Sequence, residues 1–183
     1  MERYPMIYIN KMARAMDRVV GKELRTEILT DCEDLKSKDK KEKRGEAMRV
    51  VMNKMGDLLS KEEIIRIREE CACKPKKFVS MVNTIKKDTD DYTKRLDKLQ
   101  NTGFAGVITK NVDNMLRVEF KTSKCFCGMV GKSKSNIPRL WCHCCKEHVR
   151  WLYEKVLEKE IDAKLVSAVI AGDEDCVFEL NVK

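Results

Sequence analysis

Seven of the nine cysteines in this chain fall in three tight groups: Cys71-Ala72-Cys73, Cys125-Phe126-Cys127 and Cys142-His143-Cys144-Cys145. Chance clustering is a poor account of that distribution. The other two stand apart. Cys32 continues a helical apolar stripe with Leu24, Ile28 and Leu35, and Cys176 shares a strand face with Phe178 and Leu180. Both read as small core residues, since free cysteine is among the most buried side chains.

Two chemistries fit the clustered thiols. The first is metal binding. Thiolates are soft ligands, and four of them complete a tetrahedral zinc site, so Cys71, Cys73, Cys125, Cys127, Cys142, Cys144 and Cys145 are candidate ligands and zinc the expected ion. Structural zinc sites usually place two residues between paired cysteines, whereas here one residue separates each pair. Such a pair shares a face on a strand but diverges on a helix. Chelation therefore requires a bulge or loop, and Gly128 is placed to supply one after Cys127.

The second chemistry is a reactive thiol. Cys144 and Cys145 lie where an amphipathic helix begins, and free amides and the helix dipole favour a thiolate there. His148 lies four residues beyond Cys144 and three beyond Cys145, on the same helical face. Cys144, Cys145 and His148 are therefore the candidate catalytic residues. The same three fit metal ligation, and His148 fits equally well as a surface histidine. His143, wedged between cysteines, is a lesser metal candidate. Trp141 and Trp151 bracket the segment and read as pocket walls or packing.

The elements that must position these thiols change character along the chain. Met12, Met16, Val19 and Val20 share one helical face, and the pattern restarts after Gly21. Ala47, Val51, Met55, Leu58 and Leu59 mark another helix. Ser60 followed by Glu63 is a capping box that opens a short helix ending near Cys71. Pro75 suits the first turn of the next helix, and Phe78, Val82, Ile85, Thr89, Tyr92, Leu96 and Leu99 then form one stripe, read as a single bundle helix. Asn101-Thr102-Gly103 ends it. Beyond that point residues alternate. A strand near Val107-Ile108, a turn at Val112-Asp113-Asn114 and a strand through Leu116, Val118 and Phe120 predict a hairpin. Val149, Leu152, Tyr153 and Val156 define a helix. A strand over Ile161 to Ile170, a turn at Gly172-Asp173 and a strand from Cys176 to Val182 follow.

The predicted fold is α+β. A helical region (1–102) packs on a C-terminal antiparallel sheet with one main helix, the cysteine-rich domain at 103–183. Composition narrows the function classes. Of 183 residues, 37% are charged but the signs alternate, which suits solvated helix faces. The densest basic run, Lys36 to Arg44, is diluted by Asp39 and Glu42 and reads as a solvated linker. Nucleic-acid binding rests on the net charge of +8 alone and is not expected, because only 6% of residues are aromatic and none alternate with that run. No apolar stretch is long enough to span a bilayer and no signal peptide is evident, so a cytoplasmic protein with no membrane partner is expected. There, nine cysteines read as thiols or metal ligands, not as a disulfide framework.

The C-terminal part resembles the L-2-amino-thiazoline-4-carboxylic acid hydrolase-like proteins, themselves similar to the 4-vinyl reductase-type ligand-binding domain. The resemblance is carried by KCFCGMV (124–130), WCHCCKEHVRWLYEKVL (141–157) and AGDEDCVFEL (171–180). Where such proteins carry Gly-Trp after the second cysteine group, this chain has Lys146-Glu147-His148. The resemblance implies an α+β ligand-binding fold and names no substrate. The reading is a cysteine-rich protein that binds a small-molecule ligand, with zinc as candidate cofactor. The alternatives are a hydrolase of a thiazoline-like ring with a cysteine nucleophile and, third, a nucleic-acid-binding regulator. The sequence does not fix the oligomeric state, homo-oligomer included.

Overall fold

The computed structural model describes residues 4–110, 114–131 and 136–183. Seven α-helices and a four-stranded antiparallel sheet are found among them; as predicted, six helices precede the strands and the seventh lies between the second and third strands. None of these helices is long and apolar enough to cross a membrane.

The helical half begins with α1 (Ile7–Val19), which buries Ile9, Met12, Ala13 and Met16. Gly21 then takes a positive φ of 86°, open to glycine, and α2 (Lys22–Leu29) starts afresh. Helix α3 (Lys41–Leu58) begins inside the basic run, so Lys41 to Arg44 form its first turn and only the preceding residues are loop. Helix α4 (Lys61–Glu70) opens with the expected capping box. The Ser60 side chain accepts from the Glu63 amide, and the Glu63 carboxylate accepts from the Ser60 amide at 2.8 Å.

The long apolar stripe from Phe78 to Leu99 is two helices, α5 (Lys76–Asp88) and α6 (Tyr92–Asn101). The break has a local cause. Asp91 accepts a hydrogen bond from the Lys94 amide at 2.8 Å and caps α6, while Thr89 is extended. A carboxylate cap in the middle of a stripe outweighs the periodicity on either side of it.

The sheet has the order β1-β2-β4-β3, with β1 (Val107–Lys110), β2 (Met115–Glu119), β3 (Ile161–Ser167) and β4 (Val177–Val182). The turn between β1 and β2 expected at Val112-Asp113-Asn114 lies largely outside the described residues. Leu116 stands opposite Leu180 and Val118 opposite Phe178, which places one apolar face against the helices. The other face carries Arg117, Glu119 and Glu179 in a charge ladder. Strand β3 ends at Ser167, not at Ile170. The Asp173 carboxylate accepts from the Ala168 amide at 2.7 Å and draws the chain into a 3-10 turn.

Two apolar cores result. The first joins α1 to α4 with Met129, Val130, Ile137, Trp141, Cys142 and Cys144. The second joins α5, α6 and the sheet face to Val149, Leu152, Tyr153, Val156 and Leu157 of α7 (His143–Leu157). Burial of each large apolar side chain contributes roughly 1.5–3 kcal/mol. Cys145 flanks both cores. It therefore marks the seam between them.

Candidate functional site

The start of α7 is where the cysteines gather. A 3-10 turn (Arg139–Cys142) leads into the helix, so Cys144 and Cys145 occupy its first turn, where backbone amides lack intrahelical acceptors. Cys142 and Cys144 are buried and Cys145 is half-buried. Cys71, Cys73, Cys125 and Cys142 each feel charge on Cys144, and Cys145 feels that of Cys127, so the three groups share one neighbourhood. Among the described residues, however, no three His, Cys, Asp or Glu side chains are arranged to hold a metal ion.

The Cys125–Cys127 pair sits on a tightly wound loop. The Gly131 amide donates to the Cys127 carbonyl at 2.7 Å, and a Cβ on Gly131 would lie 2.4 Å from the Cys125 carbonyl oxygen and 2.5 Å from that of Cys127. The glycine this loop requires is therefore Gly131. Gly128, expected to serve that purpose, has open space around its Cα. Asp175 anchors the approach to the loop by accepting from the Lys121 and Thr122 amides, both at 3.0 Å.

The electrostatic centre is Arg68, fully buried on α4. Its Nη2 donates to the Tyr8 hydroxyl at 2.7 Å, to the Trp141 carbonyl at 3.1 Å and to Cys144 Sγ at 3.2 Å. Its guanidinium carbon lies 3.7 Å from the centre of the Trp141 ring. No carboxylate pairs with it among the described residues. An isolated buried guanidinium is costly by several kcal/mol, and Cys144 is the group best placed to supply the balancing charge.

Cys144 accepts a hydrogen bond from the Cys145 thiol, which is the largest influence holding its pKa down; burial opposes this, and Arg68 adds to it, for a value of about 6. Cys145 is pushed up by the same hydrogen bond and by burial. The pair thus divides into a buried thiolate, Cys144, and a protonated thiol, Cys145. When protonated, Cys144 has the Trp141 carbonyl at 3.5 Å as its acceptor. Burial pushes Cys142 up, Cys71 likewise, and Cys125 up to about 11, which keeps these three as thiols at neutral pH.

Cys145 and His148 open onto a cavity of about 440 Å³ between α5, α7 and the sheet. This is within the size range of small-molecule sites, roughly 300–1,000 Å³. Leu152, Val149 and Phe178 form apolar walls, and the Tyr153 hydroxyl ties the Gly103–Ala105 segment down by donating to the Ala105 carbonyl at 3.0 Å. The His148 ring stands edge-on to Phe78, with centroids 4.9 Å apart. Its Nδ1 is bonded to the Cys73 carbonyl, and burial lowers its pKa. The neutral ring therefore donates from Nδ1, which leaves Nε2 as an acceptor. His143, by contrast, has a buried Nδ1 with no hydrogen-bond partner among the described residues.

A family model described as a family of unknown function, DUF6144, matches residues 6–183. The chain belongs to that family. A search of curated proteins found no match. The family thus spans both cores and the seam between them, and the chemistry of this member rests on its own residues.

Sequence reasoning passed over Arg68, Tyr8 and the phenylalanines that line the cavity. Arg68 did leave a signal. It falls between Ile64 and Cys71 on the stripe that α4 buries, where an arginine implies an internal partner. No comparable signal marks Tyr8 or Phe104, which reach the site from separate elements.

Proposed function

We propose that this protein binds a small, mostly apolar molecule in the cavity between α5, α7 and the sheet, and presents the Cys145 thiol and the His148 imidazole to it. The observation that carries this reading is that both side chains line a partly open apolar cavity of about 440 Å³ at the seam of the two cores. Apolar walls supply affinity, and a few convergent polar groups orient the ligand. The test is a fluorine-NMR screen of small aromatic and aliphatic fragments against the parent and T122W. Thr122 is half-buried at the lip, so a tryptophan there adds bulk without crowding either core. Fragments that bind the parent and lose binding to the variant support the reading. Fragments bound equally by both, at a melting temperature unchanged by the substitution, place binding elsewhere and refute it.

A second reading, a hydrolase with a cysteine nucleophile, is favoured by the contact between Arg68 and Cys144. As Cys145 Sγ bonds to the C=N carbon of a thiazoline-type ring, its proton passes to the anionic Cys144, the C=N π pair moves to the ring nitrogen and that nitrogen takes the proton from Cys144, which makes Cys145 the nucleophile and Cys144 the proton carrier. Turnover of thiazoline-type ring carboxylates that is abolished in C145S supports it. Binding of such compounds with no turnover by the parent protein argues for the binding function alone.

A further inference from the structure

The chain contains five phenylalanines, and all five, Phe78, Phe104, Phe120, Phe126 and Phe178, line the same cavity. They come from a helix, two strands or strand ends and two loops, so no local sequence preference accounts for the convergence. Phe104 and Phe126 are 51% and 57% exposed, which contributes little to folding and keeps aromatic surface at the rim. The rings already pair with one another. Phe78 meets Phe104 edge-on at 5.5 Å, and Phe120 meets Phe126 at 5.0 Å and Phe178 at 5.8 Å. Aromatic surfaces of this kind recognise flat rings by stacking and edge contacts.

An aromatic enclosure can also hold a cation, and the charge distribution decides between the two. Among the described residues, no Asp or Glu lines the cavity. The position over the rings is already occupied by this chain's own ammonium group, since Lys77 Nζ lies 4.6 Å from the Phe104 centroid and 5.1 Å from that of Phe78. No carboxylate pairs with Lys77 among the described residues. A cationic ligand would meet repulsion with no counter-charge, whereas an anionic group at the mouth completes the pairing of Lys77.

We infer that the cavity takes flat aromatic monoanions, aryl carboxylates being the simplest, with the ring among the phenylalanines and the anionic group at Lys77. This deepens the pocket reading above and rests on it. The ring is held in the half of the cavity that Cys145 and His148 adjoin, and the charged end faces solvent.

Calorimetry at low salt with four probes tests the inference: 1-naphthoate, neutral 1-naphthamide, cationic 1-naphthylmethylammonium and non-aromatic cyclohexanecarboxylate. Naphthoate is expected to bind best, by about fivefold over the amide, as suits a partly exposed ion pair. That margin should shrink in high salt and vanish in K77M, whose exposed position leaves folding intact. If the amide or the ammonium compound binds as well as naphthoate, or if K77M keeps the margin, the anionic class is refuted while the pocket reading stands. If cyclohexanecarboxylate equals naphthoate, the aromatic class is refuted. If no naphthyl compound binds, or T122W binds all of them as the parent does, the pocket reading itself fails.

Discussion

Arg68 is enclosed by a phenol, an indole, a carbonyl, a thioether and one thiol, and its charge adds to the Cys145 hydrogen bond in holding the Cys144 pKa down. Removing it with R68M should raise the midpoint for thiolate formation at Cys144, with the Cys145 hydrogen bond still holding it down in part. It should also cost roughly 3 kcal/mol of stability, because the Trp141 carbonyl and Tyr8 hydroxyl lose a buried partner. Alkylation rates against pH, with peptide mapping, and urea unfolding check the two effects. Cys144 also makes stability depend on pH. Its pKa is about 6 in the folded protein against an ordinary 9.0. Between those values the unfolded chain holds a proton that the folded chain has lost, so this contribution grows as pH rises from 6 to 9, is complete above 9 and is lost as pH falls through 6. The difference in unfolding free energy between the parent and C144S should therefore widen from pH 6 to pH 8. A flat difference would show that Cys144 is a thiol in both states. The position of Cys144 in a helical first turn was legible from residue spacing alone. Its charge state was not, since that depends on the direction of the hydrogen bond from Cys145 and on an arginine 76 residues earlier in the chain.

Each thiol is held by an element with its own local logic. The capping box of α4 fixes the helix that delivers Arg68, and S60A should cost about 1 kcal/mol in chemical denaturation. The loop from Cys125 to Gly131 is more demanding. A methyl group at Gly131 meets backbone oxygen on two sides, and backbone cannot step aside as a flexible side chain can. G131A should destabilise the protein by about 2 kcal/mol or more and displace Phe126 from the cavity rim, which weakens binding of flat rings. Amide chemical shifts of Cys125 to Gly131 and ligand titration check this. Helix and strand types were legible because the apolar period changes near Gly103. Boundaries were lost where a single carboxylate intervened. Asp91 splits one stripe into α5 and α6, and Asp173 cuts β3 short. Either residue, read alone, is one more charge in a chain full of them.

At the scale of the molecule, α7 belongs to both cores. Its first turn packs with α1 to α4, and its later turns pack with α5, α6 and the sheet. W141A should cost about 3–5 kcal/mol, and because one rigid helix spans the seam, both cores should unfold in a single transition by circular dichroism and by thiol exposure. Two separate transitions would mean that the seam is soft. The order of the strands bears on how the molecule is made. Strand β4 is the last of the four strands to be made, yet it lies inside the sheet between β2 and β3. Until it emerges from the ribosome, neither neighbour has its inner partner, β3 has no partner at all, and the phenylalanine-lined face has nothing to close it. The second core therefore cannot close before β4 is made, and a nascent chain stalled before Val177 should leave Cys145, at the seam, open to modification that the chain through Val182 resists.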